Sequence, residues 1–246
     1  MEFLINILVI ILVFMVPLIV FAIDNQWKEH FKIRYIFFSI IYLILVFMVP
    51  SMIANILPFV LVIITLFKGR NEDFLRNKYS SLKFSLKEFK LKKALLYSFI
   101  SYFAVIIPVS MITQIVMQTL GLSMEKQQVV QMLGGYGLLK LLIVSPALVI
   151  FAPVVEEYVF RYVLFDRILR NKLKGKFGFI ISATIVSILF ALVHYNAFAT
   201  GMLFAISFYN CYLIENKGYW YAVFNHFVVN MITTTALIVN VFINVI

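Results

Sequence analysis

The stretch APVVEEYVFRYVLF, residues 152–165, places two adjacent carboxylates and one guanidinium inside an apolar run. Charged side chains in such runs are rare in membrane segments, and they face a partner or a cavity. In a helix, Glu157 and Arg161 stand one turn apart, in the order that favours an ion pair. Glu156 is rotated by about 100° from Glu157 and has no such partner. The stretch therefore predicts one paired and one free carboxylate.

The composition around this stretch is that of a membrane protein. The chain has 246 residues, of which 63% are hydrophobic and 13% are charged, and its mean hydropathy is +1.01. A soluble domain carries roughly a quarter charged residues, so this much apolar surface requires lipid. The single cysteine, Cys211, excludes an internal disulfide and gives no sign of a zinc–thiolate site. The predicted fold is all-α, a polytopic membrane helical bundle in the cell membrane.

Apolar runs separated by polar or basic segments predict about eight transmembrane helices. The run 35–67 is too long for one ordinary span, and Pro50 and Pro58 predict a hairpin of two short helices within it. Residues 78–93 place leucine, phenylalanine and lysine at helical spacing, which predicts an interfacial amphipathic helix. The other spans are expected at 3–23, 95–119, 138–165, 178–197, 199–214 and 219–243.

Two strongly basic segments orient the chain. Residues 68–94 carry 9 Lys or Arg against 3 acidic residues, and residues 161–176 carry 6 against 1. Beside membrane spans the positive-inside rule explains such charge, so both segments are placed on the cytoplasmic side. The expected partner is the lipid bilayer, and nucleic acid is not expected. Residues 1–94 are predicted to form N-terminal membrane helices with a basic amphipathic cytoplasmic segment, and residues 95–246 hold the candidate site.

Three further polar side chains are expected to converge on Glu156. His194 is as far from Gly175 as Glu156 is, so an antiparallel hairpin about that loop places the two residues side by side. His226 follows the preceding turn by 8 residues, and Asn230 lies one helical turn further on the same face. These positions predict one layer of polar groups about 10 Å inside the cytoplasmic face.

Each of these residues also has a purely structural interpretation. Glu157 and Arg161 could be an ordinary stabilising pair, and His194 could be an interfacial residue at a helix end. His226 and Asn230 could form an interhelical hydrogen bond. Convergence at one depth favours the functional interpretation of the set. Other polar residues in the spans lack this convergence and are interpreted as packing or interfacial residues: Gln114, Gln118, Lys140 and Asn210.

Three motifs follow one another in this chain. They are Glu-Glu-x-x-x-Arg at residues 156–161, Phe-x-x-x-His at 190–194 and His-x-x-x-Asn at 226–230. The ordered set resembles the CPBP family of intramembrane proteases, which includes CAAX proteases and bacteriocin-processing (Abi) proteins. The resemblance covers roughly residues 138–243. One departure is Tyr162, where many members have glycine.

The resemblance implies an endopeptidase that cuts within or near the membrane. It implies that Glu156 and His194 activate a water molecule, while His226 and Asn230 stabilise the oxyanion. Glu157, Arg161 and Phe190 would support the site structurally. A metal-free site is expected, because His-Glu-x-x-His is absent and each residue already has a role. The alternative is zinc held by Glu156, His194 and His226, with water in the fourth place.

The expected substrate is a membrane-associated peptide or protein precursor. An alternative from another class is a non-catalytic bacteriocin self-immunity or regulatory membrane scaffold that keeps the pocket. A third possibility is a small transporter that uses Glu156 and His194 as a proton relay. The sequence has no internal repeat or matched pair of broken helices that would favour transport.

Overall fold

The computed structural model describes residues 2–24, 33–48, 55–68, 86–122, 124 and 128–245. Within these ranges the chain is helical and contains no strand, which confirms the all-α prediction. Six of the described helices are long and apolar enough to cross a membrane, and two shorter apolar helices accompany them. A polytopic helical bundle is therefore confirmed, whereas the number of eight spans stays a prediction.

The described ranges contain nine helices, three of which change width along their length. Their bounds are α1 (Glu2–Val9, Ile10–Met15 and Val16–Asp24), α2 (Ile33–Met48), α3 (Ile56–Lys68), α4 (Leu91–Ile100, Ser101–Ile106 and Ile107–Thr119), α5 (Gln128–Gly134), α6 (Leu138–Pro146, Ala147–Phe151, Ala152–Glu156 and Glu157–Arg170), α7 (Gly175–Leu192), α8 (Ala197–Lys217) and α9 (Tyr219–Val245). The segments Ile10–Met15, Ser101–Ile106, Ala147–Phe151 and Glu157–Arg170 are π-helical, with wider turns.

The long apolar run 35–67 forms two helices, α2 and α3, as its length and prolines predict. Pro58 lies in the first turn of α3, where its missing N–H disturbs no intrahelical bond. Pro50 lies outside the described residues. The Tyr42 hydroxyl of α2 donates to the carbonyl of Phe14 at 2.9 Å, which joins α2 to α1.

The predicted amphipathic helix at 78–93 is only partly described, since residues 78–85 lie outside the described residues. In the remainder, a single 3-10 turn at Leu86–Glu88 is followed by extended backbone at Lys90. The prediction of one continuous helix is therefore wrong for this part. The break has a physical reason, because the Phe89 ring packs 5.2 Å from that of Tyr221 on α9. The Tyr221 hydroxyl also accepts the Lys90 N–H at 3.0 Å.

Two short connections hold α7, α8 and α9 in antiparallel order. The Asn196 side chain accepts the N–H of Ala199 at 2.7 Å and caps the start of α8. Gly218 joins α8 to α9 with a φ of 112°, a backbone conformation that favours glycine. These turns fix the positions of the residues that follow α7 and begin α9.

Glu156 and His194 both lie far along their helices from the connection at 171–174. Two charged residues between Glu156 and that connection, Arg161 and Asp166, are buried in the core, at 0% and 3% exposure. Glu156 precedes Arg170, at the end of α6, by 14 residues. His194 follows the end of α7 that lies away from the connection at 171–174. The predicted depth of about 10 Å is measured from the cytoplasmic face of the membrane and stays a prediction.

Candidate active site

The candidate site lies in the middle of α6, where the helix changes width. Regular α-helical turns at Ala152–Glu156 are followed by the π-helical segment Glu157–Arg170. Local π-helical geometry is frequent at functional sites. The Glu157 side chain is completely buried, whereas that of Glu156 is 19% exposed. The two adjacent glutamates therefore have different surroundings.

Glu157 forms the ion pair that its spacing from Arg161 predicts. The Arg161 Nε lies 3.1 Å from Glu157 Oε2, and both side chains are fully buried. The guanidinium carbon lies 4.3 Å from the centroid of the Phe190 ring, a cation–π contact. Among the described residues the Arg161 Nη atoms have no hydrogen-bond partner. The contacts with the carboxylate and the aromatic ring thus offset the free-energy cost of burying this cation.

His226, on α9, lies between the two glutamates. Its Nδ1 is 2.8 Å from Glu157 Oε1, and its Nε2 is 3.8 Å from Glu156 Oε2. An ionised carboxylate only accepts hydrogen bonds, so the short contact places a proton on Nδ1 and directs Nε2 toward Glu156. The sequence favoured His194 as the partner of Glu156. In the described structure the Glu156 carboxylate lies 3.8 Å from His226 Nε2, because α9 packs directly on this part of α6.

His194 follows the end of α7 and lines the same cavity as Glu156. Its Nδ1 is 2.7 Å from the carbonyl oxygen of Phe190, which leaves Nε2 as the possible acceptor. The residue lies in the turn between two candidate spans. There, burial lowers the pKa of His194, and the Glu156 carboxylate acts in the opposite direction. A lowered pKa keeps the ring neutral at neutral pH.

Asn230 satisfies a carbonyl that α6 leaves without a donor. The Asn230 Nδ2 donates to the carbonyl of Leu148 at 2.9 Å. In the π-helical segment around Leu148, the bond that closes the segment joins an N–H to the carbonyl five residues back. The same pattern would pair Leu148 with residue 153, but Pro153 has no N–H. One amide hydrogen of Asn230 is therefore used here, and the side chain also lines the cavity.

Two asparagines of the site were not predicted as site residues from the sequence. Asn210 on α8 donates to Glu157 Oε1 at 3.0 Å, and Asn225 on α9 donates to Asn210 Oδ1 at 2.7 Å. Both residues are fully buried. The position of Asn210 within an apolar span was the available signal, but it was interpreted as packing. Asn225 offered no signal apart from its place next to His226.

A cavity of about 480 Å³ brings four of the predicted site residues together: it is lined by Glu156, His194, His226 and Asn230. Most of its other lining residues are apolar. Three apolar wall residues come from α1: Val9, Val13 and Phe14. Part of the cavity wall is therefore a helix from the N-terminal region, for which the sequence predicted no role in the site.

The alternative ligand set for a zinc ion is Glu156, His194 and His226. A catalytic zinc needs three protein ligands and an open position. Among the described side chains, no group of three His, Cys, Asp or Glu residues is placed to hold a metal ion. The Nδ1 atoms of His194 and His226 are each within hydrogen-bond distance of an oxygen, a contact that metal-bound histidines also make with their second ring nitrogen. A metal-free site therefore stays a prediction.

Comparison with known proteins agrees with the three sequence motifs. Residues 138–232 match a protein-family model described as "Rce1-like: Type II CAAX prenyl endopeptidase Rce1-like". The matched segment contains all the motif residues, from Glu156 to Asn230, and it confirms the predicted resemblance. Helix α1, which forms part of the cavity wall, lies outside the matched segment. No curated protein and no solved structure matches the chain.

Proposed function

We propose that this multi-pass membrane protein is an endopeptidase that hydrolyses a membrane-associated peptide or protein precursor. Its Rce1-like segment, residues 138–232, places it in the CPBP family of CAAX proteases. The cell membrane is its proposed location, with the site near the cytoplasmic face. The family gives the reaction class. The assignment of individual residues rests on the geometry of the cavity.

One observation carries the assignment: the two adjacent glutamates differ in burial and in how far their carboxylates are engaged by partners. Arg161, Asn210 and His226 Nδ1 all contact Glu157, so its carboxylate is fully engaged in the core. Glu156 keeps a partly exposed carboxylate in the cavity, 3.8 Å from His226 Nε2. A carboxylate in a largely apolar cavity is suited to accepting a proton from water. Glu156 is therefore the proposed general base.

The proposed reaction needs only a water molecule and the peptide. Glu156, assisted by His194, takes a proton from a water molecule while the water oxygen bonds to the peptide carbonyl carbon. His226 and Asn230 donate hydrogen bonds to the resulting oxyanion, and a single donor of this kind contributes roughly 10²- to 10³-fold in rate. The proton on Glu156 then passes to the amide nitrogen as the C–N bond breaks. The products are a carboxylic acid and an amine.

The direct test of the reaction class is a comparison of peptides. Peptide and membrane fractions are analysed by mass spectrometry from cells with the gene, without it, and with the gene restored. We expect at least one cleaved product that disappears without the protein and returns with it. Identical sets of products in all three would contradict the endopeptidase function.

A larger side chain in the α1 wall is expected to restrict the substrate. Val13 lines the cavity, so Val13→Trp fills part of the 480 Å³ with an indole ring. We expect processing to fall about tenfold, because substrate positioning within the site governs the rate. Ile11→Trp is the matched control, since Ile11 lies in the same π-helical segment but is 46% exposed and does not line the cavity. Equal processing by both variants would exclude α1 as part of the substrate site.

The proposed reaction requires no cofactor, and removal of metal ions by a chelator tests this proposal. We expect processing to continue after chelation, because the proposed base and oxyanion donors are side chains of this chain. Metal analysis of the purified protein should then find no zinc in proportion to the chain. Loss of activity on chelation, with recovery on adding zinc, would contradict the metal-free reaction.

A further inference from the structure

We propose that Asn210 and Asn225 are positioning residues that act through Glu157 to fix the orientation and the proton of the His226 imidazole. The activity part of this inference rests on the proposed endopeptidase function, whereas the part about the imidazole stands without it. Neither asparagine belongs to the three motifs, and both are fully buried. They join α8 and α9 to the glutamate of α6.

The hydrogen bonds that lead from Asn225 through Asn210 to Glu157 can run in one direction only. Glu157, ionised beside Arg161, accepts and cannot donate. Asn210 must therefore turn its amide nitrogen to Glu157 Oε1, at 3.0 Å. Its carbonyl oxygen then needs a donor, which is the amide nitrogen of Asn225 at 2.7 Å. The carboxylate at one end thus sets the orientation of both amides.

The same carboxylate oxygen holds His226. Glu157 Oε1 receives both the Asn210 amide and the His226 Nδ1, at 3.0 and 2.8 Å. Asn210 fixes where this oxygen stands, and the oxygen keeps the imidazole proton on Nδ1. The other ring nitrogen, Nε2, is consequently the one that faces Glu156 and the cavity. A small shift of Glu157 would release the ring from this orientation.

This arrangement supplies what an oxyanion donor at Nε2 requires. His226 can donate from Nε2 only when both ring nitrogens carry protons, since the Nδ1 proton is engaged by Glu157. A carboxylate bonded to Nδ1 stabilises the positive ring, as it does in serine protease triads. The charged or titratable groups that act on the ring are Glu156, Glu157 and Arg161 on α6 and His194 after α7. From α8 and α9, the neutral amides of Asn210 and Asn225 act on the ring through Glu157.

The competing explanation is that the two asparagines only bind the helices together. Interhelical hydrogen bonds between buried amides have that role in many membrane proteins. A purely structural role would change the amount or stability of the protein. It would not change which nitrogen of His226 carries the proton.

Nitrogen-15 NMR of the full chain, labelled at histidine, separates these explanations. The chain has only 3 histidines, and the His226 signals are identified by their loss in His226→Gln. In the wild type at neutral pH we expect a protonated Nδ1 on His226. In Asn210→Leu we expect a mixture of the two imidazole tautomers. An unchanged His226 spectrum in Asn210→Leu would overturn the proposal.

Kinetics of a peptide spanning the identified cleavage site give the second measurement. We expect Asn210→Leu to lower kcat roughly 10- to 100-fold, the range for losing a hydrogen bond to a charged group, with KM unchanged. Asn225→Leu should lower kcat less, because its amide acts through Asn210. Ser207→Ala is the control, as Ser207 is equally buried on α8 but outside these hydrogen bonds.

The two measurements keep the outcomes distinct. If Asn210→Leu does not accumulate, Asn225→Leu is used in both, and a wild-type spectrum with a wild-type kcat in that variant would overturn the proposal. If Asn210→Leu changes the His226 spectrum but the wild-type protein cleaves no peptide, the positioning of His226 is supported and the endopeptidase function is contradicted. Normal cleavage by the wild type with an unchanged His226 spectrum in Asn210→Leu would support the endopeptidase function and contradict the positioning of His226.

Discussion

Replacing Glu156 by Gln is expected to abolish processing while the protein continues to accumulate in membranes. Glutamine has the size of glutamate but cannot take a proton from water, and general base catalysis contributes about 10²- to 10⁴-fold in rate. Accumulation should be normal, because the Glu156 side chain is partly exposed in the cavity and Arg161 pairs with Glu157 instead. The measurements are the yield of the cleaved product and the amount of full-length protein in the membrane.

Glu215→Gln is the matched control for this change. Glu215 is also a carboxylate in an ion pair, but it accepts two bonds from Arg170, at 2.8 and 2.9 Å, away from the cavity. Its loss should leave processing intact. If Glu156→Gln retained full biological activity, the catalytic assignment would be wrong. The non-catalytic self-immunity or regulatory scaffold would then be the better explanation.

The parts of the site that could be predicted from the sequence are those that depend on local geometry. The pairing of Glu157 with Arg161 follows from the separation of four residues in one helix, and the structure has it at 3.1 Å. The shared cavity of Glu156 and His194 follows from their equal distance to the loop at Gly175. Helical periodicity carries such information whatever the surrounding helices do.

The parts that could not be predicted depend on how the helices are rotated against each other. No local pattern sets the distance between His226 and either glutamate, yet His226 contacts both. Asn210 lies in an apolar span like other polar residues, and only the packing of α8 on α6 brings it to Glu157. Helix α1 is distant in sequence from the motifs, so its place in the cavity wall has no local signal.

Asn230 shows an intermediate case. Pro153 is visible in the sequence, and a proline within a helix leaves one carbonyl without its donor. The sequence alone does not identify that carbonyl, because a regular α-helix and a π-helix would leave different ones. The π-helical turns select Leu148, and the packing of α9 selects Asn230 as the donor.

Removing the other glutamate, Glu157, is expected to reduce the amount of folded protein, unlike the replacement of Glu156. Glu157→Ala leaves the fully buried guanidinium of Arg161 without its carboxylate. Breaking a buried ion pair by removing one partner costs about 3–5 kcal/mol. Asn210 and His226 would lose an acceptor as well. We therefore expect Glu157→Ala to reduce the amount of folded protein in membranes severely, measured by its abundance and by its thermal denaturation in detergent.

The double variant Glu157→Gln with Arg161→Met separates folding from catalysis. It removes both buried charges, and the carbonyl oxygen of the introduced glutamine still accepts hydrogen bonds from Asn210 and His226. Replacing a buried ion pair by uncharged groups of similar size is often neutral for stability, so accumulation should return toward the wild-type amount. Processing should stay low, because a neutral amide cannot stabilise a positive imidazole at His226 as a carboxylate does. Recovery of both accumulation and processing would show that Glu157 has only a structural role.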